Sequence, residues 1–273
     1  MNISLLTIVK NRKSAILNMI SGLCNGTSLP AELVIVHMNE DKYGLSGLPF
    51  PVKEYTLSSI DLLPLAHARN FAVRKASFDT MIFLDADCIP SVNFIEAYDK
   101  ILNEENILIS GRVKYLTKTV MKAPDLLQVM SQVSIPDPVR GELDQYPYQL
   151  FWSLNFGCSK ATYSKIGGFD EGFSGYGAED TDFAFSANKN GVDFITIDAF
   201  AYHQYHPSYD PPINHIEPIV KNATRFKAKW GLWPMEGWLK KFCEMGYTRF
   251  INGQINLLKL PTPDEISAVL KHS

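Results

Sequence analysis

Three short segments carry residues that could do chemistry together. Asp85-Ala86-Asp87 sets two carboxylates one residue apart, directly after the apolar run 81–84. Alternate residues of an extended chain point the same way. The pair therefore offers hard oxygen ligands for a divalent cation that bridges two phosphates. Such a triplet also arises by chance in about every other chain of this size, and two solvated aspartates in a turn before Pro90 are the plain structural reading. Position argues for function, because ligands of open α/β sheets sit beyond the carboxyl ends of the strands.

The second segment is glycines followed by acids. Gly167-Gly168-Phe169-Asp170-Glu171-Gly172-Phe173 precedes Gly175-Tyr176-Gly177-Ala178-Glu179-Asp180-Thr181-Asp182. Glycine permits tight turns and close approach of a bound sugar. Acids in the first turn of a helix also complement its dipole, which alone could account for them. The chemical reading is a general base. Asp180 would take the proton of an attacking hydroxyl, opposite a leaving phosphate. Glu179, placed with Asp180 in the catalytic pair, would hold acceptor or donor hydroxyls, Tyr176 and Gly177 would shape the acceptor side, and Asp182 is expected to be structural.

The third segment is Tyr202-His203-Gln204-Tyr205-His206-Pro207. A neutral imidazole can complete the shell of a borderline metal such as manganese. His203 is the stronger candidate. His206 is a second ligand, a phosphate contact or a structural residue.

These segments need a scaffold that brings them together. Residues 3–9 form an apolar run broken only by Ser4 and Thr7, as in a strand buried on both faces. Residues 33–36, 52–57, 81–84, 107–113 and 194–197 read as further strands. Helical spacing marks 13–23 and 65–76, and 179–190 reads as a helix closed by Gly191. Residues 151–158 and 161–166 lead into the glycines. The alternation predicts a parallel α/β sheet. Residues 124–147 suggest a short helix and a mobile loop, 203–212 a loop, and 216–229 and 238–258 helices, with Gly246 a break in the second. Trp152, Phe156, Phe173 and Tyr176 are either sugar-stacking rings or core.

Composition narrows the partners. A formal net charge of −3 gives no reason to expect nucleic acid. The four cysteines lack any C-x-x-C pair, so free thiols in a reducing, cytoplasmic setting are expected. No apolar run is long enough to span a bilayer. The first apolar stretch, cut short by Lys10 to Lys13, reads as a strand rather than a signal peptide. Trp230, Trp233 and Trp238 either pack the last helices onto the sheet or form an acceptor or membrane-facing surface, and Lys240 and Lys241 beside Trp238 leave peripheral membrane contact through the C-terminal helices open.

In order along the chain, Ile8-Val9-Lys10-Asn11-Arg12, Ala68-Arg69-Asn70, Leu84-Asp85-Ala86-Asp87, Gly168-Phe169-Asp170-Glu171 with Gly177-Ala178-Glu179-Asp180, and Ala201-Tyr202-His203-Gln204 form a set. Over residues 3–207 the chain resembles family 2 glycosyltransferases of the GT-A fold. It is similar to the bacterial polysaccharide-synthesising members and to the galactosyltransferase group with a G-x-G-x-E-D segment.

The resemblance implies an α/β GT-A fold with a mainly parallel central sheet flanked by helices. Residues 1–210 would be the catalytic domain, 1–110 its nucleotide-sugar half and 111–210 its acceptor and metal half. Residues 211–273, which the resemblance does not cover, are expected from their own spacing to be a helical extension packed on the same domain. It implies an inverting enzyme that moves a hexose or N-acetylhexosamine from a UDP-sugar to a hydroxyl of a glycan or lipid-linked sugar. Donor contacts would come from Val9, Asn11, Arg12, Asn39, Arg69, Asp85, Ala86 and Asp87. Asp87 and His203, with His206 a further candidate, would hold manganese or magnesium, and Asp180 would be the base. One departure stands out: His37-Met38-Asn39 occupies the place where many relatives carry an acidic pair that reads the base and ribose. Two other readings are a nucleotidyltransferase, whose glycine-rich lysine loop is missing from residues 10–15, and a non-catalytic carbohydrate-binding protein on a transferase fold.

Overall fold

The computed structural model describes residues 2–60, 63–102, 104 and 106–271. Residues 1 and 272–273, the outer ends of the two expected segments, lie outside them. In chain order the first half runs β1 (Ile3–Val9), α1 (Lys13–Cys24), β2 (Glu32–Met38), β3 (Val52–Leu57), α2 (Leu65–Lys75), β4 (Thr80–Leu84), β5 (Cys88–Pro90), α3 (Phe94–Asp99) and β6 (Ile107–Tyr115). Next come α4 (Leu126–Val133), β7 (Ile135–Pro136), β8 (Asn155–Ser159), α5 (Lys160–Ile166), α6 (Glu179–Lys189), β9 (Asp193–His203) and β10 (Ser208–Tyr209). The chain closes with α7 (Ile216–Trp230), α8 (Glu236–Glu244), β11 (Thr248–Ile251), β12 (Gln254–Leu257), α9 (Pro263–Ala268) and β13 (Leu270–Lys271).

One large sheet has the order β3-β2-β1-β4-β8-β6-β9-β5, with β7 on β6. Every residue of β1 and β2 is buried, as a strand covered on both faces requires. One apolar layer joins α2, α5 and α6 to the sheet through Ala68, Ala72, Phe156, Tyr163 and Phe183. The other joins α1 and α3 through Ile16, Ile20, Phe94 and Tyr98. The expected α/β class is therefore what is found. The sheet is mixed: β1, β2, β3 and β4 pair in parallel, as do β6 and β9, whereas β8 runs antiparallel between β4 and β6.

Two segments differ from the sequence reading. The strand expected over 194–197 continues to His203, so this histidine ends a strand rather than opening a loop. The extra residues are held from one side by β6 and from the other by β5, a pairing with no local signal. The helix expected over 238–258 stops at Glu244, and a hairpin follows. Asn252 and Gly253, with φ of 51° and 74°, make its turn. Asn-Gly is the dipeptide such tight hairpins favour, so the C-terminal part is not wholly helical. It builds its own apolar cluster, including Ile213, Ile219, Phe242 and Tyr247.

The C-terminal part also buttresses the site. Asn222 on α7 donates to the carbonyls of Ser174 and Gly177, at 3.1 and 3.0 Å. Trp230 Nε1 and Lys229 Nζ donate to Asp182, which is buried and structural as expected. Residues 124–147 contain the short helix α4. The loop after it is pinned by Arg140, whose buried guanidinium donates twice to Asp137 and lies 4.0 Å over the Trp152 ring.

Candidate active site

Strand pairing explains how distant residues meet. After β4 the chain turns through Asp85-Ala86-Asp87 and immediately pairs as β5 with the end of β9, Cys88 opposite His203. Gln204 N donates to the Asp87 carbonyl at 2.8 Å, locking the corner. The Gln204 side chain accepts from Asn18 and donates to the Ala15 carbonyl, which ties the histidine segment to α1. His203 Nε2 lies 3.7 Å from Asp87 Oδ1, and His206 Nε2 lies 3.6 Å from Asp87 Oδ2. One ligand atom from each of the three falls within 4.8 Å of the others. Burial pushes His203 below the ordinary imidazole value, so its ring is a neutral lone-pair donor at neutral pH.

A carboxylate and two imidazoles fit a divalent transition ion. Imidazole suits borderline metals better than magnesium, which prefers oxygen, so this donor set favours manganese of the two expected ions.

The second constellation faces the first across a cleft of about 800 Å3. Gly177 has φ of 101° and Ala178 of 71°, and α6 begins immediately after. The left-handed Ala178 costs about 1–2 kcal/mol relative to a right-handed residue. That turn aims Glu179 and Asp180 differently. Glu179 is 5% exposed; one oxygen accepts from Gly177 N at 3.1 Å and the other lies 3.4 Å from Arg69 Nη1. Asp180 is more open, its side chain 25% exposed. Ser153 holds it with both backbone N–H (3.1 Å) and hydroxyl (2.8 Å).

Arg69 on α2 is the cation between the acids. It lies 3.6 Å from Asp180, feels the charge of Asp85, and sits 5.0 Å over the Phe169 ring. Burial still dominates its neighbours: it pushes Asp85 up to about 7 against the pull of Arg69. Burial first, then the Asp180 charge, raises Glu179 to about 7 as well.

Of the residues singled out in the sequence, Val9, Arg12, Arg69, Asp85, Ala86, Asp87, Tyr176, Gly177, Glu179, Asp180, His203 and His206 line this one cleft. Asn11 instead lines an adjoining recess of about 570 Å3, which shares Arg12 and Asp87 with the cleft. Asn39 lines neither; its side chain accepts from Ser59 N. Trp152 and Tyr176 reach the cleft, whereas Phe156 and Phe173 are core. Lys240 and Lys241 pair with Glu244 and Asp210, while Trp238 turns to the cleft and stacks on Tyr176. The structure does not assemble those three into one outward face.

Several residues were missed. β2 runs to Met38, so the first acid beyond it is Glu40, which lines the recess. It accepts from Asn11 N and from the Tyr43 hydroxyl. The sign was present, four positions past the expected strand end at Val36 and two past the observed one at Met38. Ser153 and the lip residues Met235, Glu236 and Gly237 had no motif to announce them, whereas Trp238 was among the tryptophans expected either to pack or to form an acceptor or membrane-facing surface.

A family model described as the N-terminal domain of galactosyltransferase matches residues 143–209. A hyaluronan synthase of Pasteurella multocida is 29% identical over 169 residues, 51% of this chain and 17% of that protein. A chondroitin synthase of Escherichia coli is 26% identical over 172 residues, 52% of this chain and 25% of that protein. The chain thus matches a quarter or less of the length of these two relatives. In fold, S. aureus TarS 1–349 in complex with UDP-GlcNAc superposes with a TM-score of 0.57 at 12% identity, over 96% of this chain and 98% of that one. GalNAc-T7 with UDP, GalNAc and Mn2+ gives 0.56 at 14% identity, over 89% of this chain and 57% of that one. The superpositions and the mixed sheet bear out the expected GT-A fold, and the matched relatives bear out the resemblance to family 2 glycosyltransferases read in the sequence.

Proposed function

We propose that the chain transfers a sugar from a UDP-sugar to a hydroxyl of a glycan or lipid-linked sugar, with inversion at the anomeric carbon. The observation that carries this is one cleft lined by a three-residue ligand set, a buried arginine and an open, hydrogen-bonded aspartate. Asp87, His203 and His206 would hold manganese, whose chemistry is Lewis-acid screening of charge on the departing diphosphate. Lys10 and Arg12, at the end of β1, add cations to the donor side. Asp85 sits where it can take a hydroxyl of the nucleotide-sugar, and Glu40 with Asn11 offers polar groups to the base or ribose from the recess.

Asp180 is the proposed base. Ser153 fixes its carboxylate with two donors, and its exposure leaves it reachable by an acceptor. As the acceptor oxygen bonds to the anomeric carbon, the bond to the diphosphate oxygen breaks and the hydroxyl proton passes to Asp180. Glu179 is too enclosed to serve; it orients Arg69 and the Gly177 turn.

The test is thermal unfolding against a panel of UDP-, GDP- and dTDP-sugars and nucleoside triphosphates, with and without manganese. A donor at about a hundredfold excess over its Kd stabilises by about 2.7 kcal/mol. The expected result is stabilisation by UDP-sugars that needs manganese. Stabilisation by none of them, or by a nucleoside triphosphate alone, would refute the reading.

A further inference from the structure

The cleft has a third wall that no sequence motif marks. Met235, Glu236, Gly237 and Trp238, at the start of α8, form a lip beside the Gly175–Ala178 turn. The two segments touch: a Cβ on Gly177 would come within 3.0 Å of Met235 Sδ. Met235 is held at φ of 50°, an unusual conformation for a long side chain, and it starts the helix that presents Trp238. The Trp238 ring stacks on Tyr176 at 6.0 Å and 26°, and His215 stacks on Tyr176 at 4.9 Å and 28°. Both Trp238 and Tyr176 remain half-buried. A ring platform therefore stands four residues from Asp180 in sequence, packed against the apolar cluster of α7 and α8.

Charge along the cleft is divided. Lys10 and Arg12 lie at the donor end. On the opposite lip the charged side chains among the described lining residues are Glu179, Asp180 and Glu236, and Arg69 is committed to the first two. A second anion placed there would meet carboxylates and no uncommitted cation. A pyranose offers an apolar C–H face to an aromatic ring and hydroxyl donors to carboxylates.

We infer that the Tyr176–Trp238 platform seats the terminal sugar of the acceptor, and that this sugar is an uncharged pyranose rather than a uronic acid. The inference rests on the transferase reading for the word acceptor, but its binding chemistry can be tested apart from turnover.

The full chain is mixed with UDP and manganese and then titrated with methyl β-glycosides of glucose, galactose, N-acetylglucosamine and glucuronic acid. Binding is read by saturation-transfer NMR, and UDP release from UDP-sugars is measured in parallel. At least one neutral glycoside should bind about tenfold or more tighter than the glucuronide, and Trp238→Ala should weaken it roughly tenfold. Glu236→Lys should narrow the gap by raising affinity for the glucuronide. Equal or tighter binding of the glucuronide overturns the inference. So does neutral binding that Trp238→Ala and Trp238→Leu leave untouched, or absence of binding by an enzyme that turns over its donor. Neutral binding that meets the expectation without any donor turnover keeps the sugar seat and refutes the transferase reading instead.

Discussion

Replacing Arg69 with methionine tests the electrostatics of the cleft. The aliphatic stem is kept, and the guanidinium that lies over Phe169 and is shared by Glu179, Asp180 and Asp85 is removed. Removing one partner of a buried ion pair costs about 3–5 kcal/mol, because the other is left buried and uncompensated. Here the stranded acids can escape by taking a proton. Glu179 and Asp85 already stand near 7 with Arg69 present, and without it they move higher. The loss should therefore be largest where both are ionised in the parent protein. At about pH 8 a loss near 3 kcal/mol lowers Tm by roughly 6–12 °C in a chain of this size. At about pH 6, where both acids are largely protonated in the variant, the drop should be about half as large or less. Circular dichroism melts at the two pH values measure it. A drop under about 2 °C at pH 8, or an equal drop at both, would mean that Arg69 is not the counter-charge of this site.

Other outcomes follow from the same geometry. His203→Ala and His206→Ala should each weaken manganese binding by at least about 10–100-fold, the loss that follows even from removing a ligand's outer partner. Electron paramagnetic resonance of free manganese reads this, and an unchanged affinity in both variants would remove the ion from this corner. Glu179 holds its proton more tightly in the fold than its ordinary value of 4.5, so its contribution to stability is present below that value and lost as pH rises through about 7. Glu179→Gln should accordingly lose less stability than the parent between about pH 5 and pH 8, measured by denaturant unfolding. A parallel decline in both proteins would contradict the burial argument.

What the sequence discloses follows physical range. β1, β2 and β4 are buried on both faces, so their apolar runs announce them directly. Asp85 and Asp87 follow from the end of β4, and the Gly175–Asp182 turn from glycines that must take positive φ. Long-range pairing was not legible. Nothing local to 198–203 says that the segment pairs with β6 and β5, yet that pairing puts His203 beside Asp87. The same limit hid Ser153, which matters only because α6 brings Asp180 above it. The hairpin after α8 is a different case: Asn252-Gly253 is a readable turn signal, but the apolar spacing of 238–258 fits a helix as well and masks it.

The central claim is that Asp180 removes the acceptor proton in a cleft that binds the donor without it. Asp180→Asn keeps the shape and one acceptor for the Ser153 hydroxyl, so donor and manganese binding should stay within about twofold of the parent while turnover falls by about two to four orders of magnitude. Measuring UDP release at saturating donor and acceptor alongside donor affinity separates the two. An Asp180→Asn enzyme with turnover within about tenfold of the parent, or one that no longer binds donor, would contradict the account.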